Sequence, residues 1–220
     1  MQKFTTTAPI SAFVAIPAGR VQFIAADRAD TAVEIRPVDA SKARDVKVAE
    51  QTTVSFADGV LRIEATAKNQ MLGASGSIEV TVQLPADSRV SASAAAAEFR
   101  GVGRLGEVSF EGAHGAIKVD EAAGLRLSTQ AGDVSVGRLN GPASITTGKG
   151  NIDIAEAVRG SVVLRTSAGD VSVGAAAGVS ASLDAGTSYG RVRNSLQNSG
   201  VAELTIEATT EYGDINARSL

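Results

Sequence analysis

The side chains best suited to chemistry in this 220-residue chain fall into columns set by a recurring glycine. Directly after that glycine come Asp133, Asn151, Asp170 and Asp214, with Glu98, Ala116 and Arg191 in the same slot of other copies. Carboxylates stacked at one position of a repeat could ligate Ca²⁺, a hard cation that prefers oxygen ligands. The competing chemistry is a turn, in which each Asp or Asn side chain accepts a local backbone N–H. Asn151 and Arg191 interrupt the charge, and the Gly-Gly-x-Gly-x-Asp run of calcium-binding β-helices is absent. The turn is therefore preferred, and no metal ligand is assigned.

Ahead of the glycines lie Ser128, Thr129, Thr146, Thr147, Thr166, Ser167, Thr187, Ser188, Thr209 and Thr210. They could form a flat binding ladder; hydrogen bonding between stacked units is the preferred role. His114 is the only histidine. A Ser/His/Asp triad would have to use it, and one candidate in a turn before Gly115 does not make a constellation. Tyr189 and Tyr212 hold the same slot before Gly190 and Gly213, where they would stack as an aromatic ladder. Gly101 and Gly103 have no helix after them and make no phosphate loop. The expectation is a non-enzymatic chain with no catalytic, cofactor-binding or metal-binding residues and no cofactor.

The elements that carry these columns are short strands. Gly132, Gly150, Gly169, Gly190 and Gly213 are spaced 18, 19, 21 and 23 residues apart; Gly115 precedes them, and Ala97 fills the slot before it. Two residues past each anchor sit Phe99, Ile117, Val134, Ile152, Val171, Val192 and Ile215, all large and apolar. Seven before it sit Val90, Val108, Leu125, Ala143, Val162, Leu183 and Ile206, and five before it Ala92, Phe110, Leu127, Ile145, Leu164, Ala185 and Ala208. The column three past the anchor is polar: Lys118, Ser135, Asp153, Ser172, Arg193 and Asn216. Period-2 alternation puts one face inward and one outward. A looser third apolar position holds Leu105, Leu139, Val158 and Leu196. A single such unit buries too little to offset its ordering, so units must stack into a continuous core. The reading is an all-β fold: a β-solenoid of about seven coils on a repeat of roughly 19 residues over 89–220. No segment holds a helical period, and the Ala-rich stretch 91–99 fits the strand columns.

Residues 1–88 alternate as well, in 11–16, 20–25, 31–37, 54–65 and 77–85, but off the repeat. Asp58-Gly59 predicts a hairpin, and 68–77 reads as a loop. Residues 1–88 are expected to supply opening coils and a cap, in one continuous domain with the solenoid.

Composition narrows the function classes. Aromatics are 4% with no Trp, which weighs against a sugar platform or a base-stacking surface. Net charge is −3 with no basic block, so a nucleic-acid footprint is missing. No apolar run is long enough for a membrane-spanning helix. Cysteine is absent, which rules out disulfides and thiolate metal sites. The first residues lack the unbroken apolar region of a secretory signal, so a cytoplasmic location is expected, or the cell surface if a leader precedes the chain.

The run GRVQFIAADRADTAVEI, then DGVLRIEA, then SIEVTVQLPADSRV, then repeated T-x-x-G-D-V-x-V, resembles the bacterial putative adhesin family, a β-strand-repeat domain of unknown function. The resemblance covers the chain from about residue 19 onward. It implies a solenoid-like β fold and carries no catalytic residues. The expected role is a structural or interaction module for a protein or cell-envelope partner, with a monomeric chain. A filament-forming scaffold is the second reading, and a polysaccharide-acting β-helix enzyme the third. The last coil, 204–220, is expected to end the stack, its edge guarded by Glu203, Glu207, Glu211 and Asp214.

Overall fold

A computed structural model describes residues 1–65 and 76–220. In chain order it runs β1 Gln2–Thr5, β2 Ser11–Ala26, β3 Asp30–Pro37, α1 Ala43–Gln51, β4 Thr52–Ala57, β5 Val60–Ala65 and β6 Ile78–Pro85. Two long bent strands follow, β7 Arg89–His114 and β8 Ile117–Ala131. Then come β9 Val134–Leu139, β10 Ala143–Lys149, β11 Ile152–Ala157, β12 Gly160–Ala168, β13 Val171–Ala175, β14 Ala181–Tyr189, β15 Val192–Ser195, β16 Leu204–Tyr212 and β17 Ile215–Ser219. The chain is all-β, and the 17 strands among the described residues form one open sheet system.

The repeat columns become parallel ladders. Ile152 aligns with Val134 on one side and Val171 on the other, and all three are buried. Ile145 aligns likewise with Leu127 and Leu164. The Ala-rich stretch 91–99 is strand, within β7. Its small inward residues Ala92 and Ala94 share one core with Phe23, Phe99 and Phe110, whose ring centroids follow one another at 5.8 and 5.1 Å. Close packing requires that volume missing in one rung be supplied by its neighbours. The third side is tighter than its sequence columns suggest. Leu105, Ala122, Leu139, Ala157 and Ala175 align there and are fully buried, whereas Val158 stands one residue off the column and is half-buried.

At the C-terminal end the rungs do not follow chain order. β16 lies between β12 and β14, with Ile206 aligned to Val162 and to Leu183. β17 lies between β13 and β15, with Ile215 aligned to Val171 and to Val192. Gly169 N–H accordingly donates to Tyr212 O, and Gly213 N–H to Tyr189 O. This corrects the expectation that 204–220 ends the stack: it is enclosed on both sides, and the outermost rung is β14 with β15.

The N-terminal end follows the same plan. β2 lies between β7 and the pair β5 and β6, so the first long strand of the chain is also interior. Gly19 aligns with Ala97, and Ala12, Val14, Val21 and Phe23 fill the inward columns. The repeat therefore reaches further toward the N terminus than its sequence columns showed. Beyond β5 and β6 the pairing turns antiparallel: β4 on β5, β3 on β6, and β1 on β3. The β4–β5 turn is the expected hairpin, with Asp58 and Gly59 both left-handed (φ 51° and 73°) as an Asp-Gly type I′ turn requires. Phe4 of β1 and Phe56 of β4 meet with centroids 5.2 Å apart, closing this end.

The nine-residue helix α1 was not foreseen from the sequence, in which no helical period was found. Four of its nine residues are apolar, Ala43, Val46, Val48 and Ala49, and Val48 and Ala49 pack on the core. Asp45 is buried in its first turn and accepts the Ser77 N–H at 3.0 Å. Asp39, just before the helix, accepts from both the Ser41 hydroxyl and the Ser41 N–H. The loop expected over 68–77 lies, up to residue 75, outside the described residues.

Candidate functional site

The post-glycine column is a ladder of a kind the sequence did not specify. Asn151 N–H donates to Asp133 Oδ1 at 2.8 Å, Asp170 N–H to Asn151 Oδ1 at 2.8 Å, Asp214 N–H to Asp170 Oδ1 at 2.7 Å, and Arg191 N–H to Asp214 Oδ1 at 2.9 Å. Each side chain thus accepts from the next rung and not from its own turn. The carboxylates are committed to holding rungs in register. Among the described residues no three His, Asp or Glu side chains gather into a metal-holding group.

The threonines form a second, inward ladder. Thr147, Thr166, Thr210 and Thr187 hydroxyls donate to the carbonyls of Gly132, Gly150, Gly169 and Gly213, at 3.3, 3.0, 3.0 and 2.9 Å. Each carbonyl belongs to the anchor of the neighbouring rung. Thr147, Thr166 and Thr210 are buried, so their bonds satisfy hydroxyls that water does not reach. One anchor shows why glycine fills most of this column. At Gly169 (φ 157°) an added Cβ would sit 2.0 Å from the Gly150 carbonyl oxygen, so both the backbone angle and the rung spacing exclude a side chain.

His114 is exposed and aligned with Ala131. Tyr189 and Tyr212 do stack, with centroids 4.9 Å apart and planes 4° from parallel, and both are exposed.

Two surfaces stand out that sequence columns did not isolate. The first is a groove of about 610 Å³ across the outer face of β2, β7, β8, β10 and β12. Phe13, Arg89, Glu107, Arg126, Ser144 and Val163 line it. The Arg62 guanidinium lies over the Phe13 ring, 4.8 Å from its centroid. These are the outward partners of the inward columns. Their signal was the recurrence of serine at Ser91, Ser109 and Ser144 among them, visible only once the rungs are aligned.

The second surface is the outermost rung. Val192 is 45% exposed, while its aligned equivalents Val171 and Ile215 are at 1%. Leu183 and Ala185 are only partly buried. Arg191 and Arg193 project from the same rung and are exposed.

Stacked parallel rungs, glycine anchors and polar ladders that serve the stacking define a repeat protein of the β class. Residues 17–219 match the family model described as Toastrack DUF4097, and the chain belongs to that family. No curated protein matches it. Among solved structures it is similar to a putative adhesin from Bacteroides fragilis NCTC 9343, at 9% identity over 98% of this chain and 95% of that one, with a TM-score of 0.50. It is also similar to a structure from Parabacteroides distasonis ATCC 8503 described as a putative lipid binding protein, at 14% identity over 98% and 95%, TM-score 0.45. A putative cell adhesion protein from Clostridium sporogenes ATCC 15579 matches at 9% identity over 100% and 99%, TM-score 0.42. Among the described residues no helix is long and apolar enough to cross a membrane.

Proposed function

We propose that this chain is a non-enzymatic β-solenoid that acts as a rigid interaction module of the adhesin kind, with a protein or cell-envelope partner. The observation that carries the reading is the ladder Asp133–Asn151–Asp170–Asp214. The side chains best placed for catalysis or metal binding are instead hydrogen-bonded to backbone amides of neighbouring rungs. A continuous core and aligned columns give a stiff body, and stiffness lowers the ordering cost of binding through a preformed face. The outer-face groove, with Arg89, Glu107 and Arg126 among small hydroxyl side chains, is the contact surface of choice. It lies on the outside of a sheet, unlike the enclosed apolar cavity that would hold a lipid chain. This favours the adhesin reading over the lipid-binding one.

A filament scaffold has one observation in its favour, the open rung β14–β15. Head-to-tail growth also needs a complementary second end, and the other end is covered by antiparallel strands.

The test is binding of the labelled protein to isolated bacterial envelopes, set beside the double variant Arg89→Glu/Arg126→Glu. Saturable binding that the variant weakens is expected. Saturable turnover of a polysaccharide panel, or equal binding by the variant, would overturn the reading.

A further inference from the structure

We propose that the open rung at the C-terminal end of the stack is a docking edge for an extended acidic segment of another protein, added as one more strand. The proposal does not depend on what the outer-face groove binds.

Three features of this rung support it. First, its inward column is left uncovered: Val192 is 45% exposed where Ile215, one rung inward, is 1% exposed. Leu183 and Ala185 continue that uncovered strip along β14. Second, the backbone edge is available. β14 and β15 pair only with β16 and β17; at the start of β14 the Ala181 N–H donates to Gln197 O and its carbonyl accepts from Asn198 Nδ2, and from Leu183 onward the far-side groups have no strand partner among the described residues. An edge of this kind is a template for strand addition. Third, the polar column changes character at this rung and nowhere else along the hydrogen-bonded ladder. Asp133, Asn151, Asp170 and Asp214 each accept the amide of the next rung; Arg191 ends the series. A guanidinium has no acceptor to offer, so a further rung of this chain's own pattern would find its amide unpaired at that point.

The charges select the partner. Arg191, just before β15, and Arg193 within it flank Val192, and neither is in an ion pair among the described residues. Opposite charges directly across a strand pair stabilise it, and like charges oppose it. The matching strand therefore carries an acidic residue, a large apolar residue and an acidic residue in alternation, with the apolar side chain covering Val192. A second copy of this chain fits less well. Two-fold pairing centred on Val192 sets Arg191 of each copy against Arg193 of the other, and pairing centred on Arg193 sets the arginines of the two copies face to face.

The chain has two tyrosines and no tryptophan, and both tyrosines stand at this end, Tyr189 on the open rung itself and Tyr212 beneath it. Tyrosine emission is therefore a built-in reporter. The experiment titrates the full chain with a short peptide alternating Glu and Val, and separately with the same peptide N-methylated at alternate backbone positions and with a Lys/Val peptide. A saturable emission change is expected with the Glu/Val peptide alone. Added salt should weaken it, and Arg191→Glu/Arg193→Glu should weaken it about tenfold. The melting temperature of that variant without peptide checks that the fold is intact. Equal binding of the N-methylated peptide would show attraction without strand pairing and would overturn the proposal. So would failure of the Glu/Val peptide to bind, or light scattering that shows the chain paired end to end without peptide.

Discussion

The two ends of the stack solve the same problem in opposite ways. A stack of parallel rungs has two open faces, each exposing apolar columns and unpaired backbone. At one end the chain spends β1, β3, β4 and α1 on closure: parallel pairing gives way to antiparallel, and Phe4 meets Phe56 across the two outermost strands. At the other end no strand among the described residues follows β14 and β15, only residues 197–198 bonding Ala181, and Val192 stays 45% exposed. Both ends share one device. At each end a rung lies inside the stack out of chain order, β2 at one end and β16 with β17 at the other, and segments from elsewhere in the chain form the layer beyond it. The first strand, β1, pairs only with β3 and stays at the edge.

The comparison can be broken most severely by burying a charge. Leu61→Asp, in β5 next to the closed end, and Ile152→Asp, in mid-stack, each place an unpaired carboxylate in a fully buried site. Both should abolish the cooperative melting transition seen by circular dichroism. Val192→Asp at the open end should leave it in place, because water reaches that side chain. Similar loss from Val192→Asp would mean that the open end is covered.

A milder contrast uses truncation. Phe56→Ala should cost about 2 kcal/mol in denaturant unfolding, below the range of a fully buried phenylalanine because Phe56 is half-buried. Val192→Ala should cost less than about 1 kcal/mol. Equal costs would remove the distinction between closed and open ends.

The smallest effect is electrostatic and belongs to the closed end. Hydrogen bonds from the Ser41 side chain first, then the Ser41 backbone and Lys42, lower the Asp39 pKa from 3.8 to about 2. A carboxylate whose pKa is depressed on folding stabilises the folded state above its unfolded pKa, and that contribution is lost as pH falls through the folded value. Asp39→Asn should therefore melt slightly below the parent chain at pH 5, with the gap narrowing between pH 4 and pH 2, a window set by those two values. A gap that persisted at the lowest pH would assign the effect to something other than this charge.

The sequence showed which residues face inward, because period-2 alternation and a recurring glycine leave a direct trace. Val134, Ile152 and Val171 were readable as vertical neighbours for that reason. It did not show which rung sits beside which. Aligned columns are chemically interchangeable, so Ile206 packs as well between Val162 and Leu183 as at an end. One trace of the inversion was present: the last two anchor spacings, 21 and 23, exceed the earlier ones. The rung of β14 and β15 stands one place beyond that of β16 and β17, so the chain must pass a rung on the way out and come back to it. Gly19 was missed because some 60 residues of cap separate its rung from the one at Ala97. Helix α1 was missed because nine residues are too short to hold a helix alone or to show a clear period, and form one only when packed on the sheet. The Asx ladder was expected as local turns. Side-chain acceptors and local amides are visible in sequence, and the amide of a rung 18 or 44 residues away is not.

The central claim is the order of the last rungs, and the cysteine-free chain permits a direct test by paired cysteine substitution. Ser172 aligns with Asn216, and Asn216 with Arg193, at outward-facing positions. Adjacent rungs lie about 4.8 Å apart, within the Cα separation of about 4.4–6.8 Å that a disulfide requires, while rungs two apart lie beyond it. Under mild oxidation Ser172→Cys/Asn216→Cys and Arg193→Cys/Asn216→Cys should cross-link within one chain, and Ser172→Cys/Arg193→Cys should not. Efficient cross-linking of the 172–193 pair, with failure of the 172–216 pair, would restore chain order to the rungs and contradict the account.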